Sequence, residues 1–412
     1  MAQSQIRSII LILIVGVFFA GAVVVTHNML TEPFPGHNDF MSRWEGARSF
    51  WVDHLNPYGD EASLNIQKQI YGRPVVEGED PGFFAYPMYT AVLIWPLVYM
   101  NYAWASAIWM VLLAAFLIGS LFFLLDLFKW RIASWLLGIL CIWVLFFYYS
   151  ARGLILGQVG VVVYFLELVT LWALIKDKNT LAGIALAIST VKPQMGFLIV
   201  PFFLLWGLGY RRWRFIASFV VSMLVLLVVS FVLQPSWLGD WLKQLGNYTS
   251  YTALGSPVWI ITSYYLHLGN WAELLISGLL GLSMLITWYW VLRGYPEQFM
   301  WAAVMTLTVT HLIAPRTATP HYVVFIIPLM FYFAMLVQRN RRRGNLWVVL
   351  WLLVLLIVPW VHFLLTVDKH FEHPSIYLPL PFIIFFLLWY TRQLWWKNAP
   401  EFSGMHSRAP VQ

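Results

Sequence analysis

Residues 104–125 read WASAIWMVLLAAFLIGSLFFLL, 22 positions without a single charge. About 20 consecutive apolar residues suffice for an α-helix to cross the hydrocarbon core of a bilayer. A helix packed on a soluble core shows an amphipathic stripe instead. Working outward from this stretch, comparable apolar runs recur from Ser8 to Trp396. Of the 412 residues, 61% are hydrophobic and 10% charged, and the mean hydropathy is +0.73. Soluble domains carry roughly 25% charged residues, so this chain has too little polar surface to face water. The expected fold class is an all-α polytopic membrane protein.

Basic residues set the orientation. They cluster at Arg7, Lys129/Arg131, Lys176/Lys178, Arg211/Arg212/Arg214, Arg293, Arg339 to Arg343 and Arg392/Lys397. Cytoplasmic loops collect Lys and Arg, so each intervening segment crosses an even number of times. The net charge of +7 and pI of 9.4 follow from this and call for no nucleic-acid partner. The run Ser8 to Thr26 is long for a signal peptide and reads as an uncleaved first helix. Pro87 to Tyr99 reads as a re-entrant or interfacial piece beside the span Trp104 to Leu125. Lys192-Pro193-Gln194 breaks Leu181 to Leu208 into two short runs. The sum is about twelve spans with both termini cytoplasmic. Under this scheme 16 of the 25 Lys and Arg residues lie inside and nine outside, as the rule requires. One domain is expected over residues 1–396, and the tail over residues 397–412 is expected to be cytoplasmic and disordered. The single cysteine, Cys141, excludes an intramolecular disulfide and a cysteine-based metal site.

Acidic residues concentrate in the first outer loop, residues 28–86, which holds nine of the 18: Glu32, Asp39, Glu45, Asp53, Asp60, Glu61, Glu77, Glu79 and Asp80. Such a loop is too long for a connector. Phe40 to Val52 and Leu64 to Ile70 read as helices within it, a platform beside the membrane for chemistry on a lipid phosphate.

The loop contains Asp39-Phe40, Trp44-Glu45-Gly46-Ala47-Arg48, Asn56-Pro57-Tyr58 and Phe84-Ala85-Tyr86-Pro87. Gly157-Gln158, Ala182 to Ala187, Val191-Lys192-Pro193-Gln194, Arg211-Arg212-Trp213-Arg214 and Thr319-Pro320-His321-Tyr322 follow. In this order the motifs resemble glycosyltransferase family 87, a branch of the GT-C superfamily that includes polyprenyl-phosphate-mannose-dependent mannosyltransferases. The resemblance covers roughly Ser8 to Arg343. Met88 replaces the second proline usual after Tyr86-Pro87, and Trp44 stands near the place of a family tyrosine. The resemblance implies a GT-C-type fold and a polyprenyl-phosphate sugar donor (a hexose such as mannose, or a pentose). It also implies a lipid or glycan acceptor, inversion at the anomeric carbon, and an extracytoplasmic site in the plasma membrane.

Inverting transfer needs one carboxylate to take the acceptor proton. Asp39, in His37-Asn38-Asp39, matches the family's catalytic aspartate; its bland alternative is an N-cap for the helix starting near Phe40. His321 matches the family's late histidine, for a donor-phosphate contact or a proton role; an interfacial hydrogen-bonder is the other reading. A leaving phosphate needs cations, and the outer basic residues beside spans are Arg152, Lys192, Lys243, Arg316 and Lys369. Arg316, five residues before His321, is expected over the same site; Lys192 fits phosphate binding or snorkelling equally. Gln158 and Tyr86 join the expected substrate-binding residues through their motifs.

Asp368, His370, Glu372 and His373 match no sharp metal template and read as a solvated loop, and His37 with Asp39 is the other conceivable metal pair. No cofactor and no metal are expected. Asn247-Tyr248-Thr249 fits a glycosylation acceptor, a pattern common by chance. Walker A, Rossmann and zincin motifs are missing from the sequence. Two other readings stand beside the transferase. A flippase for lipid-linked saccharides would need ionisable residues within spans, for which Glu167 is the clearest candidate and Asp126 and Glu273 lie near span ends. An oligosaccharide ligase would also use an outer site.

Overall fold

A computed structural model describes residues 2–35, 38–76, 79, 81–251, 255–368 and 371–403, with the backbone alone for residues 2–4, 6–9, 11–12 and 247–251. The regular elements among the described residues are all helices, apart from one isolated bridge between Asp368 and Phe371.

Among the described residues, six helices are long and apolar enough to cross a membrane: Leu13–Thr31, Tyr102–Leu127, Trp213–Leu233, Asn270–Leu292, Thr319–Arg339 and Arg341–Thr366. Ser134–Phe146 and Tyr148–Ile155, bent by 56° at Phe147, make a seventh if counted as one span. The expected twelve are not reached among the described residues. The reason lies in helix length. Asn179–Ser189 and Ile199–Gly209, either side of the Lys192-Pro193 break, have 11 residues each. At 1.5 Å per residue each rises only ~16 Å, about half a hydrocarbon core. Gly160–Ile175 and Pro374–Tyr390 are likewise short apolar helices.

The chain divides into two compact units. The first comprises Met1–Phe116, Leu154–Gln158 and Ser230–Tyr251. Its centre is the helix Asp39–Trp51, whose face Phe40, Met41, Trp44 and Ala47 is buried. Asn38, not Asp39, caps this helix: its side-chain oxygen accepts from Phe40 N at 3.1 Å. Trp44, Arg48 and Trp51 donate to the carbonyls of Leu97, Val98 and Ala91 at 2.9, 3.1 and 3.0 Å. These bonds pin the segment that reads as interfacial in the sequence. It is a short helix, Tyr89–Leu93, then a 3-10 turn, Trp95–Tyr99, with Leu93, Trp95 and Tyr99 exposed. The second loop helix runs Asp60–Tyr71, with Asp60 and Glu61 in its first turn, where the helix dipole favours acids. Trp237–Tyr251 is tied to this loop, for Gln244 donates to Tyr58 O and Asn56 to Asp240 Oδ2, both at 2.9 Å. The backbone of Asn247-Tyr248-Thr249 lies in that helix, and their side chains lie outside the described residues.

The second unit comprises Leu117–Gly153, Val159–Val229 and Thr252–Gln412. Its core helices are Phe299–Ile313 and Thr319–Arg339; 83% of the best apolar window of the latter is buried, against 6% for Trp213–Leu233. The most enclosed span therefore carries the Thr319-Pro320-His321-Tyr322 motif. The tail is described as far as Ser403 and is packed there: Phe402 stacks on Trp206 at 5.3 Å, and Ser403 N donates to Ile175 O at 2.8 Å. Residues 404–412 lie outside the described residues.

Candidate active site

In the first unit, four residues gather round Asp39. Because Asn38 is the cap, Asp39 is the first residue of its helix and its carboxylate is free for other work. Oδ2 accepts a hydrogen bond from the Gln158 amide. No described group donates to Oδ1, and the residue is half-buried. Gln158 reaches Asp39 because Gly157 lets the backbone pass close. Gly157 has φ +61, and a Cβ on it would come within 2.6 Å of Phe40 Cβ. Its carbonyl accepts from Trp109 Nε1 at 2.9 Å.

Arg43, one helical turn after Asp39, donates to the Asp39 carbonyl and to the Tyr86 hydroxyl, with its guanidinium carbon 4.4 Å from the Tyr86 ring centre. Burial pushes the Tyr86 phenol up, opposed by the charge and hydrogen bond of Arg43. Tyr86 thus stays a phenol that accepts from Arg43 and keeps its own proton to donate. Tyr58 fixes the turn below by donating to Tyr86 O at 2.7 Å. Sequence reasoning missed Arg43. The available signal was its position at i+4 from Asp39, which puts both on one helix face.

In the second unit, the organising group is Glu372. Its Oε1 accepts from Tyr148 and from Arg152 Nε, both at 2.7 Å, and Thr319 lies at 2.8 Å from both carboxylate oxygens. Tyr377 donates to Oε2 at 3.0 Å. Its side chain is 7% exposed. The sequence reading of this loop as solvated is therefore corrected at Glu372. The neighbouring Asp368 bridges to the Phe371 backbone, and His373 Nδ1 bonds Ser375 at 2.8 Å. Lys369, His370 and His37 lie outside the described residues. No group of three or more His, Cys, Asp or Glu side chains that could hold a metal converges among the described residues.

His321 is buried in the same unit, and its Nδ1 accepts from Ala318 N at 3.2 Å. An accepting Nδ1 places the proton of a neutral ring on Nε2. Gly160 gives the ring room, for a Cβ there would sit 3.0 Å from His321 Cδ2. His311 lies with its ring centre 6.3 Å away. Lys192 is 3% exposed, which rules out snorkelling along the surface. Arg316 is half-buried on the turn before the motif, at φ +59, a left-handed conformation uncommon for a side-chain-bearing residue. Lys243 is exposed on the helix Trp237–Tyr251 of the first unit. Of the expected site residues, Asp39, Tyr86 and Gln158 thus belong to the first unit, and Arg152, Lys192, Arg316 and His321 to the second. Glu167 is buried, with neither oxygen partnered among the described residues.

The sequence matches the model of glycosyltransferase family 87 over residues 84–315, more than half of the chain. The match takes in Tyr86, Arg152, Gln158 and Lys192, and leaves Asp39, Arg316 and His321 outside its limits. Neither the comparison with curated proteins nor that with solved structures gave a match.

Proposed function

The chain belongs to glycosyltransferase family 87, and from that premise we propose that it transfers one sugar from a polyprenyl-phosphate donor to a hydroxyl of a lipid or glycan. The sugar is a hexose such as mannose, or a pentose, and transfer proceeds with inversion. The reaction takes place on the extracytoplasmic side of the plasma membrane, with both termini in the cytoplasm; the spread of Lys and Arg supports this orientation.

The observation that carries the reading is the divided carboxylate of Asp39, with one oxygen held by Gln158 and the other without a donor among the described residues. That is what a general base needs: a fixed orientation and a vacant lone pair. The acceptor oxygen attacks the anomeric carbon, its proton passes to Asp39 Oδ1, and the anomeric carbon–oxygen bond breaks. The electron pair leaves with the polyprenyl phosphate. Tyr86, with a proton to donate, suits a sugar hydroxyl. The second unit, taken by itself, gathers the cations Arg152, Arg316 and Lys192 and the Nε2 proton of His321, a set suited to a phosphate. The reaction as written needs no metal and no cofactor.

The experiment is a donor panel. Purified protein receives polyprenyl phosphates bearing mannose, glucose, galactose or arabinose, with total membrane lipid as acceptor. Transfer from one donor identifies the sugar. No transfer from any donor, with movement of a lipid-linked saccharide between leaflets instead, overturns the proposal in favour of a flippase. That alternative rests on the buried acid Glu167.

A further inference from the structure

We propose that Glu372 is a positioning residue: it holds Arg152 by its inner nitrogen so that the outer edge of the guanidinium receives a phosphate ester. The inference rests on the donor class proposed above.

The argument starts from what Arg and Glu do when left to themselves. An arginine and a carboxylate that serve only to neutralise each other favour the fork-to-fork arrangement, with two parallel bonds. Glu372 does not use it. Its one bond to Arg152 is to Nε, at 2.7 Å. Its remaining acceptor capacity goes to three hydroxyls, on Tyr148, Thr319 and Tyr377. Arg152 is 20% exposed, and neither Nη has a hydrogen-bond partner among the described residues. Its guanidinium carbon lies 5.5 Å from the Phe363 ring centre, so one face is covered as well. What remains is the Nη edge, a pair of donors fixed in a plane with no acceptor among the described residues. That geometry matches two oxygens of a phosphate.

The three hydroxyls explain the rest of the design. Tyr148 is on the bent pair of helices that carries Arg152. Thr319 opens the 3-10 segment Thr319–Phe325, two residues before His321. Tyr377 closes the segment Pro374–Tyr377, and its carbonyl accepts from Tyr322, the neighbour of His321, at 2.9 Å. Glu372 therefore ties together three stretches of chain far apart in sequence. It sets where the guanidinium stands relative to the turn bearing His321. A carboxylate that meets four donors, about as many as it has lone-pair sites, has none to spare for substrate chemistry, which is why positioning is the role assigned.

The test uses the full-length protein in detergent or nanodiscs and two readouts, donor KM against kcat and the binding of polyprenyl phosphate without sugar. Glu372→Gln keeps the shape and removes the charge. Glu372→Asp keeps the charge and withdraws it by one methylene, and serves if the glutamine variant does not fold. Both are expected to raise donor KM and weaken polyprenyl-phosphate binding on the order of tenfold or more, with kcat changed far less. In an Arg152→Ala background the same change at Glu372 should have no further effect on KM, since it acts through the arginine. Transfer by the wild type with donor KM unchanged in both variants overturns the inference and leaves the proposed function standing. Additive effects of Arg152→Ala and Glu372→Gln also overturn it. If no donor is used by the wild type, the proposed function fails by itself. Loss of polyprenyl-phosphate binding in Glu372→Gln would then still uphold the positioning role, and retained binding would end it.

Discussion

Asp39 in the first unit and Glu372 in the second are both acids near the ends of helical segments, and they are used in opposite ways. Asp39 is half-buried, with one oxygen held by Gln158 and the other without a donor among the described residues. Glu372 is 7% exposed and accepts from Tyr148, Arg152, Thr319 and Tyr377. A saturated carboxylate is a fixture, because every lone pair is committed. An unsaturated one with a fixed orientation is a reagent. The number of donors an acid has met, more than its place in a motif, separates the two roles.

The comparison can be broken at several points. The largest effect is expected for Asp39→Asn, which should lower transfer by about 10²–10⁴-fold, the span general-base catalysis contributes, while purified yield and donor binding hold. Next comes Glu372→Leu. It leaves the Arg152 guanidinium without its counter-charge and should cost about 3–5 kcal/mol of stability, read as a lowered thermal midpoint. An undiminished midpoint would mean that Arg152 finds water or lipid phosphate instead. Gln158→Leu frees the Asp39 carboxylate to rotate. Transfer should fall on the order of tenfold to a hundredfold, because a hydrogen bond to a charged group contributes ~1.5–3 kcal/mol; equal rates would show that the amide does not orient the base.

A smaller effect concerns Glu45, buried on the same helix as Asp39 with Oε2 unpartnered among the described residues. Burial raises its carboxyl above the ordinary range, Arg48 opposes this and Asp53 adds to it. The folded state thus holds this proton more tightly than the unfolded chain. Its contribution is full below the ordinary carboxylate pKa and is lost as pH rises through the raised value. Glu45→Gln should match the wild type in thermal midpoint near pH ~4 and exceed it increasingly toward pH ~8; a constant gap would place the stabilisation elsewhere. The smallest effect is expected at Glu167, where Glu167→Gln should leave sugar transfer unchanged, and a large loss would favour a proton-coupled transport cycle.

Much of this architecture is legible in the sequence. The charge-free stretch at residues 104–125 lies in a long apolar helix, and Phe40 to Val52 is a loop helix within a residue of its expected limits. The Lys192-Pro193 break is also real, while the count of about twelve spans is not confirmed, because the helices either side of the break are short. Two 11-residue helices do not span a bilayer as single rods, and apolar periodicity alone does not report length across a break. Gln158 is readable once Gly157 beside it is seen as a point of close approach. Glu372 is not readable. Its partners Tyr148 and Arg152 lie more than two hundred residues away in the chain, and an acid in a loop beside Lys369 and His370 has the composition of a solvated surface. Only the fold reveals that it is enclosed.

The most direct measurement of the central claim is kcat and donor KM for Asp39→Asn, with the sugar donor that the wild type uses and donor binding followed on the same preparation. The account predicts that kcat collapses while donor affinity stays within about threefold of the wild type, because the open oxygen acts on the acceptor proton and not on the donor phosphate. Turnover near the wild-type rate, or a rise in KM with kcat preserved, would contradict it.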